Sequence, residues 1–254
     1  VRKLRVLDFL DDSLSSGKIK HVGFSSHTEI DTFVDILDAY PKWEVVLTQM
    51  NYLDEYYQTG VMGLDELKRL NIGSMIMEPL RGGRLVQNIP PEVQKLWDSA
   101  EVKRTPVEWA LEYLWNRDDV DCVLSGMNSL EQVRQNIQIA SDVKEISEHD
   151  HDVIREVART YKTLTGNDCT SCGYCMPCPE DVDIINCFKE YNIGKMLNNP
   201  KGSALQYFTL IDDDCRADSC INCGECEFVC PQMLDIPQEL EKVDEYFGRE
   251  FNHF

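Results

Sequence analysis

The sequence predicts an α/β domain followed by a smaller, mainly helical, cysteine-rich one. Two observations carry this. Over the first 145 residues short apolar runs alternate with amphipathic stretches, the pattern of strands joined by helical crossovers in a parallel sheet or barrel. Cysteine then changes abruptly: Cys122 stands alone in the first 168 residues, and the other ten lie between Cys169 and Cys230.

The elements follow in order. Val1, Leu4, Val6, Leu7 and Leu10 fall on one side of a helical pattern at the very start. Because the chain opens on Val inside an element, a truncated or processed longer protein is expected. Buried strands are expected at Ile19–Ser25, Glu44–Met50, Gly73–Glu78 and Asp121–Gly126. Helices are expected at Glu29–Ala39, Leu64–Leu70, Val107–Trp115 and Leu130–Ile139, the third opened by Thr105-Pro106. A linking helix is expected over 146–163, and the cysteine-rich domain over 164–254. Within that domain Val182–Asn192 and Ser203–Ile211 have helical spacing, around a turn signal at Asn198-Asn199-Pro200-Lys201-Gly202.

Charge narrows the partners. With 45 acidic against 25 basic residues the net charge is −20, which repels nucleic acid and anionic membrane surfaces. No apolar run approaches the roughly 20 residues of a membrane span, and no signal peptide opens the sequence, so a cytoplasmic protein is expected. A secretory disulfide scaffold is disfavoured for the same reason, and clustered cysteines point to metal.

The cysteines form two motifs, Cys169-Thr-Ser-Cys172-Gly-Tyr-Cys175-Met-Pro-Cys178-Pro179 and Cys220-Ile-Asn-Cys223-Gly-Glu-Cys226-Glu-Phe-Val-Cys230-Pro231. Gly173 aligns with Gly224, Pro179 with Pro231, and Asp183-Ile184 with Asp235-Ile236, so the repeat extends past the cysteines. Three cysteines two residues apart wrap a loop around one corner of a 4Fe–4S cubane, and the fourth, followed by Pro, ligates the other cluster. One cluster then takes Cys169, Cys172, Cys175 and Cys230, and the other Cys220, Cys223, Cys226 and Cys178. The first motif has two residues before its last Cys where the bacterial ferredoxin pattern has three, which bears most on Cys178. A single zinc ion needs only four ligands, and eight in two compact runs fit clusters better. Cys187 and Cys215 lie outside both motifs and are expected to be non-ligands. The longer, helical link between the motifs resembles that of the helical two-cluster ferredoxins found inside larger oxidoreductases.

The first part of the chain resembles the aldo/keto reductases. Gly17-Lys18-Ile19-Lys20-His21-Val22-Gly23-Phe24-Ser25-Ser26-His27 resembles their fifth-strand segment, and Gln49-Met50-Asn51-Tyr52 their sixth. Glu78-Pro79-Leu80-Arg81-Gly82-Gly83 resembles the seventh strand and its loop, and Thr105–Asn136 the last helix–strand–helix unit. The resemblance spans residues 1–142 in order, and members with a C-terminal ferredoxin module are known. It implies the second half of a TIM (β/α)8 barrel followed by a mainly helical ferredoxin domain, with the nicotinamide nucleotide across the strand ends. It places Ser25, Ser26 and Gln49 at the carboxamide, Leu80, Arg81 and Gly82 over the pyrophosphate, and Gln132 and Asn136 at the adenosine. Gly126 and Gln132 stand where many members carry the Lys and Arg that grip a 2′-phosphate, so NADP and NAD both stay open.

The family's catalytic Asp, Tyr, Lys and His belong to the first four strands. No catalytic residue is therefore assigned, His21 and His27 included. The resemblance implies an aldo/keto oxidoreductase coupled to iron–sulfur electron transfer, with a small carbonyl substrate in the parent protein and a one-electron carrier as partner. An electron-transfer subunit without chemistry of its own is the alternative, and a zinc-stapled interaction module a third.

Overall fold

Four parallel strands in sequential order, β1 (Gly23–Ser25), β2 (Val45–Gln49), β3 (Gly73–Met77) and β4 (Cys122–Val123), organise the first part of the chain in a computed structural model that describes residues 5–251. Helix α1 (Val6–Ser15) precedes the sheet, α2 (Ile30–Asp38) and α3 (Gly60–Leu70) fill the first two crossovers, α4 (Pro91–Ser99) and α5 (Pro106–Trp115) the third, and α6 (Leu130–Ser141) follows β4. Then come α7 (Glu148–Thr163), α8 (Ile184–Met196), α9 (Pro200–Leu210) and α10 (Ile236–Phe251). The chain divides into two compact units. One holds the residues up to Val86 with Ser99–Arg155, the other Gln87–Asp98 with the residues from Glu156 on. Residues 87–98, and most of α4 with them, thus group with the cysteine-rich part although they sit between strands of the first.

The strands are shorter than their apolar runs. Lys18 and Ile19 donate their N–H groups back to the Ser13 carbonyl at the end of α1, so pairing starts only at Gly23. There a Cβ would lie 2.3 Å from the Val45 carbonyl oxygen, and only glycine lets β1 come this close to β2. At β4 a side chain replaces the ladder: the Asp121 carboxylate accepts from the Ser74 N–H at 2.8 Å, and the Asp121 N–H donates to Ser74 Oγ at 2.9 Å. Main-chain pairing there is confined to Cys122 and Val123, continued by one bond from Leu124 N–H to the Ile76 carbonyl.

Helix α5 starts where the sequence says it should. Thr105 Oγ1 accepts from the Glu108 N–H while the Glu108 carboxylate accepts from the Thr105 N–H, with Pro106 at the first helical position. The helix is then buried from Trp109 to Leu114, Glu112 included. Glu112 tolerates burial because Arg104 donates to it at 2.7 Å; the same guanidinium reaches Asp150 at 2.8 Å and the Glu145 carbonyl at 2.8 Å. The Arg104 side chain is 0 % exposed. One cation thus ties the entry to α5, α5 itself and the start of α7 in the first unit.

The second unit packs α8, α9 and α10 around Phe188, Tyr207, Leu240 and Phe247, with the Tyr207 and Phe247 rings stacked at 4.3 Å. Among the described residues no helix is long and apolar enough to cross a membrane.

Replacing Arg104 by Met strands two buried carboxylates. The expected loss is about 3–5 kcal/mol of unfolding free energy, read from urea unfolding of the full chain. Adding Glu112→Gln and Asp150→Asn should restore a large part of it.

Candidate functional site

All the residues expected to hold a nucleotide lie at or after the C-terminal ends of the four strands. Ser25 ends β1 and is exposed; Ser26, next to it, is buried, its hydroxyl 2.9 Å from Thr28 Oγ1. Gln49 ends β2 and is nearly buried. After β3 the chain turns through left-handed backbone at Glu78, Arg81, Gly82 and Gly83, which brings Leu80, Arg81 and Gly82 into one short loop. Past β4, Asn136 of α6 donates to Ser125 Oγ at 3.0 Å. Gln132 is exposed and turns its side-chain oxygen to the Asn128 N–H at 2.9 Å, in the loop before α6.

A carboxylate outside the expected set joins these pieces. Asp54 is buried, and its Oδ2 accepts from Asn51 at 3.0 Å and from Gln49 at 3.3 Å, with Arg81 Nε also at 3.3 Å. Asn51 reaches on to the Glu78 carbonyl at 3.2 Å, and its own side-chain oxygen accepts the N–H groups of Leu53 and Asp54. With its amide nitrogen committed to Asp54, Gln49 keeps its side-chain oxygen as an acceptor. The Arg81 Nη1 nitrogen is buried and has no hydrogen-bond partner among the described residues. A half-buried cation with a spare donor in a glycine-rich loop suits a phosphate oxygen. The signal in the sequence was a polar Asn-x-x-Asp directly after an apolar strand, the place where barrel strands put functional groups.

In the second unit the two cysteine motifs adopt one backbone twice. Ser171 and Asn222, Gly173 and Gly224, Asp181 and Met233 are matched positions with left-handed φ. The Met176 N–H donates to the Gly173 carbonyl as the Glu227 N–H does to Gly224, and Asp181 to Cys178 as Met233 to Cys230. Each motif then runs into a helix capped by Asp: Asp183 Oδ1 accepts from the Asn186 N–H at the start of α8, and Asp235 Oδ1 from the Gln238 N–H at the start of α10. Asn192 of α8 fixes the entry to the first motif by accepting the N–H groups of Gly166 and Asn167, both at 2.9 Å.

Two cavities open between the repeats. The larger, about 200 Å³, has Cys178, Cys220, Cys223 and Cys226 in its wall. The smaller, about 20 Å³, has Cys169, Cys172, Cys175 and Cys230. Cys175 also reaches the wall of the larger. Each motif therefore brings its first three cysteines to one cavity and sends its fourth to the other. Burial, with neighbouring thiols added, pushes Cys226 up to about 11 and raises Cys169 and Cys175, so thiolates gathered here call for a cationic core to share. Among the described residues no three Cys, His, Asp or Glu side chains close on a single ion-sized point. Cys187 and Cys215 line neither cavity. Cys187 is buried in the core, and its thiol is pushed up to about 12 by burial.

The aldo/keto reductase family model matches residues 3–159. The chain belongs to the aldo/keto reductase family. A 4Fe–4S dicluster domain model matches residues 168–242, so this family member carries an iron–sulfur domain behind its barrel strands. Among solved structures the chain is similar to the aldo-keto reductase AKR11C1 from Bacillus halodurans. For the holo form identity is 20%, coverage is 58% of this chain and 53% of that one, and the TM-score is 0.49. For the apo form the values are 20%, 58%, 54% and 0.48. The chain spans about half the length of these structures. No curated protein matches it. The four sequential parallel strands with their helices are the second half of the family's barrel, and the region behind them is helical.

The helix caps of the repeat are open to a direct check. Asp183→Ala and Asp235→Ala should each cost about 1 kcal/mol, seen as a lowered midpoint in thermal unfolding of the cluster-loaded chain.

Proposed function

We propose that the chain is the nucleotide-holding and electron-transferring part of an aldo/keto oxidoreductase with two 4Fe–4S clusters. The observation that carries this is the crossed sorting of eight cysteines into two cavities, in which each motif's fourth cysteine joins the other motif's first three and Cys175 alone touches both. Cys169, Cys172, Cys175 and Cys230 would hold one cluster, and Cys220, Cys223, Cys226 and Cys178 the other. The donor set fits, since four thiolates are what such a cluster takes, and the left-handed turns at Gly173 and Gly224 allow close backbone approach. Bound there, 4Fe–4S clusters take up and release electrons one at a time. The cysteine-bearing loops shield that site from water on the side of the α8–α10 core and fix the spacing between the two cavities.

On the barrel strands, Ser25, Ser26 and Gln49 would orient the carboxamide of NADP or NAD, Arg81 with Leu80 and Gly82 would take the pyrophosphate, and Gln132 and Asn136 the adenosine. A nicotinamide nucleotide supplies hydride when bound there. Asp54 aims Arg81 and Gln49 toward it, so that both are oriented before binding. The substrate in the whole protein would be a small carbonyl compound, reduced with a proton from a Tyr of the family's tetrad. Electrons would be exchanged with a one-electron carrier, and no nucleic acid or membrane surface is a partner.

Two measurements test these assignments. Anaerobically prepared chain should be brown, with about eight iron and about eight acid-labile sulfide per chain, and bound zinc in place of iron would contradict the reading. Pairing substitutions tests the crossing: Cys178→Ser with Cys220→Ser should leave about four iron, whereas Cys178→Ser with Cys169→Ser should leave almost none. For the nucleotide, Arg81→Ala and Asp54→Asn should each weaken NADPH or NADH binding by about tenfold in a fluorescence titration. Unchanged affinity in both would remove the pyrophosphate role from this loop.

A further inference from the structure

The two cavities share a backbone but not a rim. Around the smaller one the exposed wall residues include the polar Thr170, Ser171 and Gln232. Around the larger one they include three large apolar side chains, Tyr174, Ile221 and Val229, which are 68%, 62% and 49% exposed. Ile221 occupies the place in the second motif that Thr170 has in the first. Phe228, beside Val229, and Met233, beside Gln232, are exposed next to one cavity each, so the difference lies in the wall residues themselves. Large apolar side chains gathered at one cavity mouth mark a surface that another molecule covers.

Charge says what kind of molecule. Glu180 and Glu225 stand in the wall of the larger cavity, with no Lys or Arg among its lining residues. The sequence has no Lys or Arg between Lys162 and Lys189, nor between Arg216 and Lys242, and these stretches contain both motifs. A mouth with apolar side chains and only carboxylates around them matches an apolar patch ringed by cations.

We propose that, of the two cluster sites, the one walled by Cys178, Cys220, Cys223 and Cys226 is the port through which electrons enter or leave, and that it docks a protein one-electron carrier whose contact face is apolar at its centre and ringed by Lys and Arg. This rests on the cluster assignment above. The carboxylates steer and orient the carrier, and the apolar contact excludes water where the two redox centres come nearest. In each encounter one electron passes: the chain is oxidised by one, the carrier is reduced by one, and no atom is transferred. The same field repels small acidic carriers. The site walled by Cys169, Cys172, Cys175 and Cys230, with polar Thr170, Ser171 and Gln232 at its rim, is then the other member of the relay.

The test uses the full, cluster-loaded chain, reduced with dithionite and freed of it by gel filtration, mixed in stopped flow with cytochrome c as the cationic acceptor. The second-order rate should fall about tenfold between about 10 mM and about 300 mM ionic strength, and succinylated cytochrome c should react more slowly by a similar factor. Ile221→Ser and Glu225→Lys should each slow the reaction about threefold to tenfold. Thr170→Lys and Gln232→Lys should change it by less than about twofold. Val229→Ser reads the same rim as Ile221→Ser, and all variants are compared at equal iron and sulfide content. A rate indifferent to salt, or one more sensitive to Thr170 and Gln232 than to Ile221 and Glu225, overturns the port while leaving the clusters in place. Absence of iron and sulfide from the unaltered chain overturns the cluster assignment and the port together.

Discussion

The buried carboxylate of Asp54 is the constraint on which the strand-end rim depends. A carboxylate away from water must be given donors, and the nearest supplies are the side chains of Gln49, Asn51 and Arg81. Satisfying it pulls the end of β2 and the loop after β3 to one point. Asn51 extends the hold to the Glu78 carbonyl, where the backbone turns left-handed. The geometry of the loop is thus set by a polar account that closes inside the protein, apart from the one Arg81 nitrogen left over.

A comparable logic holds Arg104, at the other extreme of burial. Its guanidinium offers five donors, and Glu112, Asp150 and the Glu145 carbonyl accept from it in one dry pocket over the Trp109 ring, 4.5 Å away. Such a triad adds little to stability against an apolar packing of the same volume, but breaking it is costly. Its effect is positional, fixing how the chain passes from α5 to the beginning of α7.

Much of this could be read in the amino-acid sequence. The strand and helix order followed from apolar runs alternating with amphipathic stretches, and the start of α5 from Thr105-Pro106, because these signals are local. The repeat of the cysteine motifs was legible for the same reason, out to the matched Asp183-Ile184 and Asp235-Ile236, but not that these aspartates cap α8 and α10. What escaped depends on distant partners. Nothing near Arg104 in sequence foretells Asp150. Helix α4 went unpredicted although Val93, Leu96 and Trp97 keep helical spacing. A strand was expected at Asp121–Gly126, but not that β4 would stop at Cys122 and Val123, where Ser74 and Asp121 trade side-chain bonds for main-chain ones. Asp54 was visible as a residue but not as a hub.

The matched left-handed positions of the two motifs have a meaning beyond ligand placement. At Ser171 and Asn222, and again at Asp181 and Met233, side chains with a Cβ accept a backbone conformation that glycine would adopt more easily. The side chains differ within each pair, so local preference does not explain why the conformation recurs. The shared motif does: three cysteines two residues apart and a fourth followed by Pro stand at matching places in both copies and hold the main chain alike. The one-residue difference before the last cysteine, and Thr170 in one copy where Ile221 stands in the other, show how far the copies differ around a main chain they share.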